Sequence, residues 1–381
     1  MVKIAYLTNG TPTSGVGHQA EAVKRAIQRL DSHQWALVEY YLNGTTGTLS
    51  QEQDILTRLV HLPGKLDAKT INWIRLGWRL PQYLRRGAFD IVHATNQTIS
   101  FVLPAHGATV VTVHDLIELI RPQQGLARHA ARYLYRGIPR AKHIIAVSNY
   151  TARSLEKQLQ IPADRITVVH NGVGSEFHPI DAFRQTIGYQ TLRQELKLPE
   201  TARVIMSVGS DHPRKNLLTA LRAFARLRKD VPEAIFVKVG EPGIRTGRVR
   251  LLQEIDQLKL KKSVRFIGSV SDDRLNELYN LADAFIFPST FEGFGLPPLQ
   301  AIAAGTPVVT SRSSSLPEVV GDAGLMHSSK DIEGFATSLQ RILASPELRA
   351  ELRAKGIARA REFTWERAAQ QTAEVYRNVV S

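Results

Sequence analysis

The stretch 283–309, DAFIFPSTFEGFGLPPLQAIAAGTPVV, restricts the fold of this chain more than any other. Asp283 to Phe287 is a short apolar run ended by Pro288, the length of a buried parallel strand. Ser289 to Gly295 cannot be helical, and its glycines let backbone amides approach a ligand closely. Pro297 and Pro298 suit a first helical turn, where no N–H is needed, and Gly305 stops that helix before a second strand, Pro307 to Val309. Strand, glycine loop, helix and strand make a βαβ unit whose helix N-terminus faces the crevice above a parallel sheet, a ready-made anion site. Glu292 stands in the loop itself. A carboxylate there suits hydroxyls or a developing positive charge better than phosphate.

The same rhythm runs along the whole chain. Short apolar runs at 2–7, 35–41, 90–93, 109–113, 143–147 and 166–169 predict one set of strands. A second set is predicted at 204–208, 234–239, 264–267, 283–287, 307–309 and 324–326, and the final run, 331–380, is helical by pattern. With 381 residues there is room for two cores, so the expectation is an α/β protein of two doubly wound parallel-sheet domains facing a cleft. The domains are placed at 1–180 and 201–363, with a linker at 181–200 and a terminal helix, 364–381, packing back on the first.

Chemistry is narrowed first by what is missing. Cysteine is absent, which removes disulfide frameworks and thiolate metal sites. There is no P-loop, no nucleophile elbow, no His-x-x-x-His and no Asp-x-Asp for a metal-bridged diphosphate, so neutralisation by Lys, Arg and amides is expected. A net charge of +14 attracts polyanions, but no nucleic-acid-binding motif accompanies it. No apolar run is long enough to span a bilayer, and MVKIAYLTNG enters a strand without signal-peptide architecture, giving a cytoplasmic expectation.

Three places carry residues suited to a site. Ser207 to Asn216, SVGSDHPRKN, follows a predicted strand and puts Arg214 and Lys215 beside a helix start, where cations are poorly placed unless an anion such as a diphosphate compensates. His114-Asp115 ends the apolar strand ATVVTV, where doubly wound sheets display functional side chains. Gly15-Val16-Gly17-His18-Gln19-Ala20 matches a dinucleotide-binding fingerprint, with Glu39 near the distance of a ribose-binding acid, which keeps a nicotinamide-dependent oxidoreductase as an alternative. Residues 70–86 form an amphipathic stretch, with Trp73, Leu76, Leu80 and Leu84 on one face and Arg75, Arg79 and Arg86 on the other. Pro81 is expected to kink or interrupt any helix there, and the stretch is a candidate for contact with an anionic membrane surface.

Taken in order, SGVGHQAEAV, TVVTVHDLIEL, IIAVSNYTARSL, ITVVHNGV, SVGSDHPRKNLLTALRAF, the 283–309 stretch, SSLPEVVGDAGL and FTWERAAQQTAEVYR resemble the retaining GT-B glycosyltransferases, the group that includes bacterial mannosyl- and glucosyltransferases of surface-polysaccharide assembly. The resemblance covers nearly the whole chain. It implies a nucleotide-diphosphate sugar held by the second domain as co-substrate, no separate cofactor and no metal, and a carbohydrate or lipid-linked acceptor entering from the first domain, at the inner face of the membrane.

Residue by residue, the resemblance implies that Arg214 and Lys215 neutralise the diphosphate and that Glu292 contacts the donor sugar. Amides of Phe294, Gly295 and Leu296 would bind sugar and phosphate oxygens, and backbone near Val270 would meet the base. His114 would sit beside the reacting sugar, and Gly15 and Gly17 would close over the diphosphate. Many relatives carry a further cation where this chain has Ser210, and their paired acids, eight residues apart, correspond here to Glu292 and Gln300, the latter at the ribose. The reading is a retaining, metal-independent hexosyltransferase; the alternative within this architecture is a nucleotide-sugar epimerase.

Overall fold

A computed structural model describes residues 1–9, 15–30, 33–42, 68–120, 126–243 and 245–381. The chain divides into two units, Met1–Gly172 with Trp365–Ser381, and Val173–Thr364. The first boundary therefore falls earlier than the sequence pattern suggests. The stretch 181–200 is not a free linker either. Phe183 and Leu192 are buried, the helix Ile187–Glu195 packs in the second unit, and Arg184 reaches Asp283 at 2.8 Å.

In the first unit six strands pair in parallel in the order β2-β1-β3-β4-β5-β6: β1 Val2–Thr8, β2 Trp35–Tyr41, β3 Ile91–Ala94, β4 Thr109–Val113, β5 His143–Ala146 and β6 Ile166–Val168. β3, β4 and most of β5 are buried on both faces, which is why they read as continuous apolar runs rather than alternating ones. The second unit has six more: β7 Arg203–Val208, β8 Ala234–Val239, β9 Val264–Ile267, β10 Ala284–Phe287, β11 Val308–Ser311 and β12 Gly324–His327. Their order is β12-β11-β10-β7-β8-β9, so the winding reverses between β7 and β10. Ligand crevices in such sheets open at the carboxyl ends of the strands on either side of that reversal.

The helix Ala68–Arg86 runs through Pro81 without a break. Proline cannot donate to the carbonyl four residues back, that of Gly77, and Arg136 Nη2 takes its place as donor at 3.4 Å. At Gly77 the helix approaches a neighbour closely, since a Cβ there would stand 2.5 Å from the Tyr133 hydroxyl. Leu80 and Leu84 are buried and Arg79 and Arg86 exposed, as the periodicity predicts. The side chains of Trp73, Arg75 and Leu76 lie outside the described residues.

The last helix, Trp365–Val380, belongs to the first unit. Tyr376 on it is fully buried and hydrogen-bonded to His93 Nδ1 at 2.7 Å, while His93 Nε2 meets the Thr112 hydroxyl at 2.9 Å. Lys142 donates to the Val379 carbonyl at 2.7 Å, a cation at a helix C-terminus. Burial, aided by the neighbouring His114, pushes His93 down to about 3. The folded state thus refuses a proton that the unfolded chain accepts near pH 6.5. The His93 contribution to stability is complete above pH 6.5 and is lost progressively as pH falls toward 3. We expect first-unit stability to fall by up to about 1.4 kcal/mol per pH unit in this window. His93→Asn should flatten that acid limb in thermal melts between pH 7 and pH 5, and an unchanged slope would remove His93 as its source.

Candidate active site

Two loops meet at the reversal in the second unit. After β7 the chain turns at Gly209, whose φ of +135° is open to glycine, and a Cβ there would press on Lys215 Cε at 3.3 Å. Arg214 and Lys215 then lie in a short turn, Pro213–Lys215, rather than in the helix, which begins at Leu217. Between them and the helix Asn216 adopts φ +54° and donates through Nδ2 to the carbonyls of Pro288 (3.0 Å) and Ser329 (2.7 Å). This ties the post-β7 loop to the post-β10 loop. The amide of Thr290 donates to the Arg214 carbonyl at 2.8 Å and completes the tie.

The anion facing the two cations is Glu292. Lys215 Nζ lies 2.8 Å from its Oε1 and Arg214 Nη1 2.7 Å from its Oε2. Ser289 donates its hydroxyl to Oε1 at 2.7 Å, and the Glu292 amide donates to the Ser314 hydroxyl at 2.8 Å. Glu292 is 6% exposed and Lys215 9%. Burial by itself would raise the carboxyl, but the charges of Lys215 and Arg214 and the hydrogen bonds from Lys215 and Ser289 outweigh it and hold Glu292 below the usual carboxylate range. At neutral pH this is an ionised acid clamped by two cations. The expectation of an anion to compensate Arg214 and Lys215 is met inside the protein.

Beyond Glu292, Gly295 has φ +116° and opens the helix Leu296–Ala303, with prolines in its first turn. A Cβ on Gly295 would stand 2.8 Å from Leu316 Cδ2, so the turn has no room for a side chain. The Phe294 ring is buried against Phe363, and its carbonyl accepts from the Ser315 hydroxyl at 2.6 Å. Gln300 lies on the same helix but its Oε1 accepts from the Tyr279 hydroxyl at 3.3 Å. Val270 is half-buried after β9, two strands from β7 and roughly 10 Å away at ordinary strand spacing.

In the first unit His114 follows β4 and is buried. Its Nε2 meets the Thr95 carbonyl at 3.0 Å, so Nε2 carries the proton and Nδ1 is left as the acceptor nitrogen. Burial lowers its pKa, with Thr95 and Asp115 opposing, so the ring is neutral at pH 7. Asp115 caps its own turn by accepting from the Ile117 amide at 3.1 Å. Gly15 and Gly17 form the first turn of the helix Gly15–Leu30, with Gly15 open to solvent and Gly17 buried. Glu39, which a dinucleotide-binding reading would place on a ribose, is paired with Lys24 at 2.7 Å from within β2.

Sequence reasoning missed the residues that hold the loops. Ser289, three positions before Glu292, had a local signal, since a hydroxyl at that spacing commonly bonds forward. Lys238 had none: it sits in an apolar strand, 1% exposed, and pairs with Asp211 at 2.8 Å. Arg248 reaches the other Asp211 oxygen. Removing one partner of a buried charge cluster is costly, so Lys215→Met should cost the second unit about 3 kcal/mol. Adding Glu292→Gln should restore more than half of that, and strictly additive losses in denaturation of the single and double variants would disprove the coupling.

The family models described as Glycosyltransferase Family 4 and Glycosyl transferases group 1 match residues 13–177 and 189–359. The O-antigen chain mannosyltransferase B of Escherichia coli is 30% identical over 398 residues, covering 99% of this chain and 100% of that protein. The serotype-specific mannosyltransferase WbdA of Escherichia coli is 31% identical over 285 residues. The match takes in 72% of this chain but only 34% of WbdA, so the chain spans about a third of that relative. Among solved structures, sucrose-phosphate synthase from Thermosynechococcus elongatus superposes with a TM-score of 0.77 at 20% identity, covering 99% of each chain. The lipopolysaccharide glycosyltransferase WaaG does so with 0.73 at 17% identity, covering 98% of this chain and 99% of that one. The fold is GT-B. With two six-stranded parallel sheets and a full-length relative at this identity, the chain belongs to the group 1 glycosyltransferases of family 4 type.

Proposed function

We propose that this chain transfers a hexose, mannose or glucose in type, from a nucleoside-diphosphate sugar to a glycan, lipid-linked or small-molecule acceptor, with retention and without a metal. Relatives named as mannosyltransferases make mannose the first donor to try. The observation that carries the proposal is the Arg214–Glu292–Lys215 cluster at the β7/β10 reversal. Breaking the sugar–phosphate bond puts negative charge on the leaving diphosphate and positive charge on the anomeric centre. Lys215 and Arg214 supply fixed positive charge for the first, and amides of Phe294, Gly295 and Leu296 add donors at a helix N-terminus.

Glu292, held ionised, faces sugar hydroxyls and the developing cation. Its carboxylate also keeps Lys215 and Arg214 from moving, so little reorganisation remains to be done in the transition state. His114 contributes Nδ1 as an acceptor for a sugar hydroxyl, Gly15 and Gly17 leave room for the diphosphate, backbone near Val270 meets the base, and Gln300 offers its Nε2 to the nucleoside while Tyr279 holds its Oε1. The site is expected at the inner face of the cell membrane, in the cytoplasm.

We expect Glu292→Gln to lower turnover by about a hundredfold or more while nucleoside-diphosphate affinity changes by less than about threefold. Incubation with GDP-mannose, UDP-glucose and dTDP-glucose, with nuclear magnetic resonance of the product anomer, tests the whole reading. Retained turnover with collapsed affinity in the variant would assign Glu292 to phosphate binding, and donor isomerisation with no acceptor consumed would favour an epimerase.

A second reading concerns the membrane. Trp78 is 68% exposed, and Arg85 and Arg86 are exposed on the same helix, while no described helix is long and apolar enough to cross a bilayer. An aromatic ring among guanidiniums suits an anionic lipid surface. Trp78→Ala with Arg85→Ala should reduce co-sedimentation with phosphatidylglycerol vesicles at least about threefold. Equal sedimentation would retire the idea.

A further inference from the structure

The second unit has a cavity of about 300 Å³ at the amino ends of its strands, the edge opposite the Glu292 cluster. Asp283, on its wall, precedes β10, whereas the Glu292 loop follows it. Four strand residues, roughly 13 Å, separate the two. The cavity is therefore distinct from the donor site. Its space comes from small residues, Ala282, Ala304, Gly305 and Ala350, and its charge from four arginines, Arg184, Arg203, Arg349 and Arg353.

Part of that charge is already used. Arg184 pairs with Asp283 at 2.8 Å and Arg203 lies 3.6 Å from the same carboxylate. Asp283 also accepts from the Val204 amide at 2.8 Å. Arg349 donates to the carbonyls of Ile342 (2.7 Å) and Leu343 (2.8 Å), capping the end of the helix Ile332–Ala344. Arg353 lies over Gly305, its Nη1 2.8 Å from where a Cβ would stand, and has no carboxylate partner among the described residues. Four guanidiniums against one carboxylate leave three positive charges around one concavity. The neutral polar groups offer little, because Thr306 Oγ1 donates to the Tyr279 carbonyl (2.7 Å) and Asn280 Nδ2 to the His178 carbonyl (3.0 Å).

We propose that this arginine cavity binds a phosphorylated monosaccharide at a site separate from the donor crevice. Guanidinium forks match phosphoryl oxygens, with Arg353 the cation least committed elsewhere. The volume exceeds what one phosphate fills. Asp283, paired with Arg184 and Arg203, partly neutralises one end of the cavity, which suits the uncharged sugar end of the same ligand. The cavity also touches Gly305, just past the end of the helix Leu296–Ala303 whose first turn carries the glycine loop of the donor site.

Isothermal titration of the full chain with mannose 6-phosphate, inorganic phosphate and mannose tests the assignment. Mannose 6-phosphate should bind, inorganic phosphate more weakly, and mannose not measurably. Arg353→Gln should weaken the sugar phosphate by about tenfold or more and Arg353→Lys by less, because a lysine keeps the charge but loses the fork. Saturating GDP or UDP, which would fill the donor crevice, should leave this binding unchanged. Absence of binding overturns the proposal, as does binding that survives Arg353→Gln but is competed away by GDP or UDP, which would move it to the donor crevice. Inorganic phosphate binding as tightly as the sugar phosphate would also overturn it. Melting temperatures of both Arg353 variants matching the parent keep a loss of binding from being read as a loss of fold.

Discussion

A buried carboxylate has to be paired or protonated, and the second unit is arranged so that Glu292 is paired. Taking a charge out of water costs several kcal/mol, and here two cations and a serine hydroxyl offset it. Those partners come from a loop 77 residues away from Glu292 in the case of Lys215. The requirement therefore constrains both loops at once, and with them the spacing of β7 and β10. On the proposed function, the same ionic contact that satisfies Glu292 also holds Arg214 and Lys215 for the leaving diphosphate.

The cluster is held in place by hydrogen bonds around it. Asn216 stitches the two loops through Pro288 and Ser329, and the Ser315 hydroxyl donates its one proton to the Phe294 carbonyl (2.6 Å) with the Glu292 carbonyl also within reach (3.0 Å), which ties down the glycine turn. Behind the loop, the Asp211–Lys238 pair fixes the start of SVGSDHPRKN against β8. A lysine 1% exposed in a central strand is tolerated because Asp211 and the Gly240 carbonyl, at 2.6 Å, receive its ammonium.

The first unit solves a different problem. Its closing helix comes from the end of the chain and has to be recognised by a sheet made at the beginning. Tyr376 does this through a buried His93, with the Trp35 ring 5.6 Å away. The long helix at 68–86 keeps its course past Pro81 because Arg136, distant in sequence, donates to the orphaned carbonyl. Local rules make Pro81 a breaker, and a tertiary contact overrules them.

Strand positions were legible to within a residue or two because buried parallel strands are apolar throughout, a pattern that depends only on composition along the chain. The glycine loop, the adjacent cations and Glu292 were legible for a similar reason: turn chemistry and charge are local properties. What the chain order cannot express is who pairs with whom across tens of residues. That Glu292 itself is the anion for Arg214 and Lys215, that Gln300 turns to Tyr279, that Lys238 is buried, and that 181–200 packs into the second unit are outcomes of distance and desolvation in the folded chain. The arginine cavity is the clearest case, since Arg184, Arg203, Arg349 and Arg353 come from three separate stretches of the chain and line one concavity only in the fold.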